Sequence, residues 1–277
     1  MLTGIQDKVA LVTGGASGIG RATALAFARE GAKVAIVTAR SVAKGEEVVR
    51  EINGRGGHAV CIQCDVSKEA EVAAMVARVL AEFGRLDYAF NNAGVGPDGV
   101  TIPFAPLTDV TEADWDAVID TNLKGVFLCM KHELRHMTQQ RSGAIVNTSS
   151  TAAMFAKAGF GTYCPAKAGI NSVSKVAALE SKALGIRVNV VCPGPTKDTG
   201  MSDRLLSSLK KQGSAASPGG GAPQAPSFGP PAPPDGDMTA IMGTPDDVAR
   251  VVIWLCSDEA SFVNGQVVAV DGGLDLA

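Results

Sequence analysis

Short β-branched runs alternate with longer helix-period segments along almost the whole of this 277-residue chain, and that alternation admits few architectures. Lys8–Thr13 and Lys33–Thr38 read as buried strands, as do His58–Asp65, Tyr88–Asn92, Ala144–Thr148, Arg187–Cys192 and Gln266–Val270. Between them, Ile19–Glu30, Val42–Asn53, Glu69–Phe83, Glu112–Gln139, Thr162–Leu184 and Asp246–Cys256 repeat apolar residues at helical spacing. Thr111-Glu112-Ala113-Asp114 adds a capping pattern just before Trp115. Seven strands alternating with six helices predict an α/β fold: one doubly wound domain, its seven-stranded parallel sheet covered by helices on both faces.

One segment breaks the rhythm. Gly213–Gly236 holds six Gly and seven Pro in 24 residues with one charge, Asp235, and proline there removes donors and fixes φ. Only 41 residues follow it, too few for a core of their own, so the segment reads as a loop inserted into a single domain spanning residues 1–277. The balance of 25 basic against 28 acidic residues argues against nucleic acid or an anionic membrane as partner. The longest uncharged stretch is Gly, Pro, Ser and Ala rather than aliphatic, so no membrane span is predicted. Six cysteines in this length do not make a disulfide scaffold, and a soluble cytoplasmic protein is expected.

Directly after the first strand, Thr13-Gly14-Gly15-Ala16-Ser17-Gly18-Ile19-Gly20 opens a helix. Glycines let a backbone turn tightly against a pyrophosphate, whose charge then meets the helix N-terminus. The strand–loop–helix context makes Gly14, Ser17, Gly18, Ile19 and Gly20 candidate contacts to a dinucleotide, although the spacing is G-x-x-x-G-x-G rather than G-x-G-x-x-G. At the end of the second strand, where a carboxylate would accept from the adenosine hydroxyls, stand Thr38, Ala39 and Arg40, with Lys44 four residues beyond. A guanidinium without a carboxylate suits a 2′-phosphate and favours NADP(H). NAD(H) stays open, because Ala16 and Ser17 put no positive charge in the first loop.

Tyr163 and Lys167 share one helix face at i, i+4. A nearby ammonium favours a phenolate, so the pair predicts a phenol pKa below the ordinary value of about 10. Such a phenol could give or take a proton near neutral pH. Alone, Tyr-x-x-x-Lys is a common accident on amphipathic helices. Here it lies in one order with Thr13–Gly20, Asp65-Val66, Asn91-Asn92-Ala93-Gly94, Asn122, Ser150, Pro193-Gly194 and Val270-Asp271-Gly272-Gly273.

With those residues in view the chain resembles the short-chain dehydrogenase/reductase family from about Lys8 to Gly273, including a serine 13 residues before the tyrosine. The resemblance implies a Rossmann fold and NAD(P)(H)-dependent interconversion of a ketone or aldehyde with an alcohol. It implies Tyr163 as acid/base, Lys167 as the group lowering its pKa and binding the nicotinamide ribose, and Ser150 as hydrogen-bond donor to the substrate oxygen. Asn122 would hold a water linking Lys167 to solvent. Asp65 and Val66 would face the adenine, Asn92, Ala93 and Gly94 the ribose, and Pro193, Gly194 and Thr196 the nicotinamide. The resemblance also implies a homotetramer. Two departures stand out: Pro165 lies between Tyr163 and Lys167, and both Thr196 and Thr199 follow Pro193-Gly194, leaving open which one meets the cofactor.

Other patterns carry less. His132-Glu133-Leu134-Arg135-His136 matches a zinc-protease signature, but no third carboxylate ligand follows nearby, so a solvated charged helix face is expected and no metal. Cys61 and Cys64, three apart on a strand, point to opposite faces and read as core thiols. Thr151–Phe160 is mostly apolar and predicts a pocket for a hydrophobic carbonyl compound. The rival class is a cofactor-binding regulator of the same fold without turnover.

Overall fold

The computed structural model describes residues 2–97, 102–204, 207 and 242–274; the Gly/Pro-rich segment 213–236 lies outside the described residues. Seven parallel strands form one sheet in the order β3-β2-β1-β4-β5-β6-β7. They are β1 Val9–Thr13, β2 Lys33–Thr38, β3 Ala59–Gln63, β4 Tyr88–Asn91, β5 Gly143–Thr148, β6 Ile186–Pro193 and β7 Val267–Val270. The helices used below are α1 Gly18–Arg29, α2 Val42–Gly54, α3 Glu69–Phe83, α4 Glu112–Val118, α5 Gly125–Gln140, α6 Tyr163–Ser181 and α7 Pro245–Cys256.

Strand alternation divides the core in two. Val9 and Leu11 of β1 join α3, α5 and α6 on one face, packed with Val72, Met75, Met130 and Ile170. Ala10 and Val12 join α1, α2 and α7 on the other, with Phe27, Ile52, Val252 and Leu255. Both faces are buried, which is why the strand sequences read as continuous apolar runs. The direction of winding reverses between β1 and β4, and a crevice forms beyond their carboxyl ends.

Local signals explain the element ends. Thr111 caps α4 by accepting from the backbone N–H of Asp114. Thr244 and Asp247 form a reciprocal capping box on α7, with Pro245 just inside the helix start. At the other end of α7, Arg187 of β6 donates to the carbonyls of Cys256 and Ser257 at 3.1 Å each, tying helix terminus to sheet. No described helix is long and apolar enough to cross a membrane.

The expected single helix Glu112–Gln139 is interrupted. Ile119–Lys124 widens into a π turn between α4 and α5. The wider turn carries Asn122 inward, where it is fully buried and bonds the Val95 backbone twice: Oδ1 accepts from N–H at 2.8 Å and Nδ2 donates to the carbonyl at 2.7 Å. A 3.6-residue period cannot reveal such a bulge, because the flanking apolar face continues through it.

Candidate active site

The crevice holds a cavity of about 460 Å³, floored by Gly14 after β1, Asn92 after β4, Thr148 to Ser150 at the end of β5 and Pro193-Gly194 at the end of β6. Gly14 and Gly18 both take positive φ, +64° and +51°. Gly20 has a different reason to be glycine: a Cβ there would lie 2.2 Å from the Gly14 carbonyl oxygen. Helix α1 can therefore start hard against the loop. Ser17 caps α1 without a side-chain hydrogen bond to it, and the first turn carries no acidic residue. Its N–H groups and positive dipole end are left to an anion.

Thr13 locks this loop to its neighbour. Its hydroxyl oxygen accepts from the N–H groups of Asn92 at 2.9 Å and Ala93 at 3.1 Å, while Asn92 Nδ2 donates to the Thr13 carbonyl at 3.2 Å. Motif order alone did not single out this side chain; its burial at a strand end beside a glycine loop was the available signal.

The residues expected to do chemistry converge. Lys167 and Tyr163 lie on the first turns of α6, and the Lys167 ammonium stands 5.5 Å from the Tyr163 ring centroid. Lys167 is buried and donates to the Thr148 carbonyl at 2.8 Å, while Ser149 donates from its hydroxyl to the Lys167 carbonyl at 2.8 Å. The Ser150 side chain hydrogen-bonds Tyr163 and also accepts from the Ala152 N–H at 3.1 Å. Gly94 brings the Asn122 turn to this group: a Cβ on it would sit 2.9 Å from Asn122 Oδ1 and 3.6 Å from Lys167 Nζ. Pro165 is the third residue of α6, where its missing N–H has no intrahelical partner to lose.

The phenol's expected pKa needs correction. Burial pushes Tyr163 up to about 12, and the Ser150 hydrogen bond offsets only part of that. Burial also lowers Lys167 to about 8, so the ammonium is itself weakened. Desolvation sets the direction of the Tyr163 shift. Tyr163 is consequently a protonated phenol at neutral pH, ready to donate to a carbonyl oxygen.

Among the other expected contacts, Ser17, Ile19, Ala93 and Thr196 line the cavity, and so does Thr199. Thr196 donates to the Gly194 carbonyl at 3.0 Å, and Thr199 donates to Ser202 Oγ at 2.8 Å. Thr38, Arg40, Asp65 and Val66 lie outside that lining. Thr38 is buried, its hydroxyl accepting from the Ser41 N–H at 3.3 Å, whereas Arg40 is exposed. At Asp65 burial acts to raise the pKa, but hydrogen bonds from Ser67 and the nearby Lys68 and Arg40 cations hold it below the ordinary carboxylate value. Val66 packs against Gly125. Beside Ala16, Ser17 and Gly18 a smaller cleft is lined by Arg21, Lys44, Glu47 and Glu51.

The expected solvated face around His132–His136 is also corrected. Glu133 is fully buried and accepts from Asn91 Nδ2 at 2.9 Å; Asn91 Nδ2 also donates to Asn147 Oδ1 at 3.0 Å, and Asn147 Nδ2 to Ser174 Oγ at 2.8 Å. This chain of amides ties α5 and α6 to the ends of β4 and β5, directly beneath the site. Among the described residues, no group of three His, Cys, Asp or Glu side chains is placed to hold a metal. All six cysteines are free thiols, and burial pushes Cys64 up to about 12.

Burial raises Glu133 to about 8 from an ordinary 4.5. Between those values the folded chain keeps a proton that the unfolded chain has released, so the Glu133 contribution to stability is full below about 4.5 and is lost as pH rises through about 8. Glu133→Gln should flatten this dependence. Thermal melts at about pH 5 and about pH 9 check it; an equally steep fall in the variant would count against the protonated carboxyl.

Comparison with known proteins agrees with this geometry. The short chain dehydrogenase profile matches residues 8–210, and the enoyl-(acyl carrier protein) reductase profile matches residues 237–275. The chain belongs to the short-chain dehydrogenase/reductase family of NAD(P)(H)-using oxidoreductases. It is 39% identical over 269 residues to the 3-oxoacyl-(acyl-carrier-protein) reductase FabG of Staphylococcus aureus, covering 97% of this chain and 98% of that one. It is 40% identical over 268 residues to the cis-4-hydroxycyclohexanecarboxylate dehydrogenase of Sinomonas cyclohexanicum, covering 96% of each. The crystal structure of levodione reductase superposes with a TM-score of 0.83 at 33% identity, covering 98% of this chain and 99% of that one.

Proposed function

We propose that the protein reduces a hydrophobic ketone or aldehyde to the alcohol, and the reverse, with NADP(H) as the favoured cofactor and NAD(H) as the alternative. The observation that carries this is the Ser150–Tyr163–Lys167 group, with Lys167 buried and Ser150 and Tyr163 partly buried, lining a glycine-loop cavity. The cradle fits a dinucleotide: Gly20 against the Gly14 carbonyl, the uncapped start of α1, and an opening lined by Asn92, Ala93 and Gly94. When bound, the nicotinamide supplies or takes the hydride.

The chain's own residues do the rest. Tyr163 donates its phenolic proton to the substrate oxygen as charge develops there. Ser150 donates a second hydrogen bond to the same oxygen, and both donors are positioned before the reaction begins. Lys167 is fixed by Thr148 beside the phenol ring and would hold the nicotinamide ribose. Asn122 would hold a water on the Lys167 side of the π turn. Asp65 and Val66 would take the adenine, Thr38 and Arg40 its ribose end, and Pro193, Gly194 and Thr196 the nicotinamide.

Arg40 and Lys44 support the NADP(H) preference, since no carboxylate ends β2. Arg40→Ala is expected to weaken NADPH binding about tenfold, as loss of a charged hydrogen bond would, with little change for NADH. Titrating each cofactor by fluorescence checks this; equal losses for both would refute the assignment. The names of the relatives span an acyl chain carried on a protein and a six-membered ring bearing hydroxyl and carboxylate, so a substrate with an apolar body is supported. Exposed Phe127 of α5 with Val176 and Leu179 of α6, and Phe262 elsewhere, support a homo-oligomer, a tetramer by family resemblance. Following NADPH and NADH oxidation against a panel of ketones and aldehydes tests the function. Tight cofactor binding with no turnover on any carbonyl would favour the silent regulator instead.

A further inference from the structure

We infer that the substrate carries an anionic group at its end remote from the carbonyl, and that Lys157 holds it. This rests on the carbonyl–alcohol function proposed above. The charged side chains lining the cavity are Lys157, Lys167 and Arg204; no carboxylate lines it among the described residues, in a chain whose net charge is −3. Lys167 is committed to the Thr148 carbonyl. Arg204 is exposed and stands on the same segment as Thr199, whose side chain lies over Gly18 of the glycine loop.

Lys157 has a different position. It lies seven residues after Ser150 and six before Tyr163, in the connection that walls the substrate end of the cavity. Its carbonyl accepts from the Phe160 N–H at 3.1 Å, a turn that places the Phe160 ring 6.2 Å from the Tyr163 ring and 5.4 Å from Phe104. Lys157 is thus joined to the reacting group through a short aromatic wall. It is half-buried, and no described residue forms an ion pair or side-chain hydrogen bond with it. A half-buried lysine lining a cavity with no carboxylate among the described residues has no described counter-charge, and an anionic ligand would supply one. Phe160, Met201 and Met242 also line the cavity and give it an apolar wall. The matching compound is a carbonyl on a compact apolar body ending in a carboxylate or a phosphate.

Charge and shape are separable with one ring in two forms, 4-oxocyclohexanecarboxylate and its methyl ester, assayed with NADPH. Wild type should prefer the acid through KM. Lys157→Met keeps the apolar stem and removes the charge. It should raise KM for the acid roughly tenfold or more, as loss of a charged hydrogen bond does, and leave kcat and the ester unchanged. A phosphate-ended ketone in parallel tells the two anions apart, the better substrate naming the group. Equal handling of acid and ester by wild type, or equal losses on both in the variant, would overturn the inference while leaving carbonyl reduction intact. If no carbonyl is turned over, the proposed function fails instead. Calorimetric titration of the acid into the NADPH-bound chain then decides the anion site: binding lost in Lys157→Met supports it, and binding unchanged or absent in both proteins refutes it.

Discussion

Tyr163→Phe is expected to lower kcat by roughly 10²–10⁴-fold, the range for losing a positioned general acid, while NADPH still binds. The phenol is partly buried, hydrogen-bonded to Ser150 and raised by desolvation to a pKa of about 12, so it is protonated at neutral pH. Phenylalanine preserves the ring against Phe160 and Lys167, and removes the hydroxyl that bonds Ser150 and is proposed to meet the substrate oxygen. Cofactor titration beside steady-state kinetics separates the two effects. A Phe variant that kept most of its kcat would remove Tyr163 from the chemistry. A variant that lost cofactor binding as well would make the phenol part of the nucleotide site.

Gly20→Ala is the second large effect. A Cβ there would lie 2.2 Å from the Gly14 carbonyl and 2.8 Å from Asn92 Nδ2, so neither the glycine loop nor the Thr13–Asn92 lock could keep its place. Overpacking of this kind costs about 1–3 kcal/mol, or roughly 5- to 150-fold in cofactor affinity. The sheet behind it is held by two buried apolar cores, so the variant should fold. Circular dichroism and cofactor titration together check this; an unchanged Kd in a folded variant would show that the loop does not form the cradle.

Strand and helix order could be read from the residues because both faces of the sheet are covered: every strand is an apolar run and every helix an apolar stripe. The glycine loop and the Tyr163/Lys167 pair were also visible, since their spacing alone sets them together on a turn and on one helical face. What escaped was set by tertiary contact. Asn122 sits on a π turn that its amide stabilises through Val95, a partner 27 residues away. Glu133 looked solvated beside two histidines, yet Asn91 from β4 reaches it across the core. The phenol's pKa follows its partial desolvation, which no local spacing encodes, and Lys157 stands out only against a cavity lining without carboxylates among the described residues.

The central claim is that this site moves a hydride between nicotinamide and a carbonyl carbon while Tyr163 supplies the proton. NADPH deuterated at C4 on the transferred face, incubated with a ketone the enzyme reduces, tests it directly. Mass spectrometry of the product should find one deuterium on the carbinol carbon, and Tyr163→Phe should slow formation of that labelled alcohol by the same factor as kcat. Alcohol formed without deuterium from either C4 face, or label transferred equally well by the Phe variant, would contradict the account.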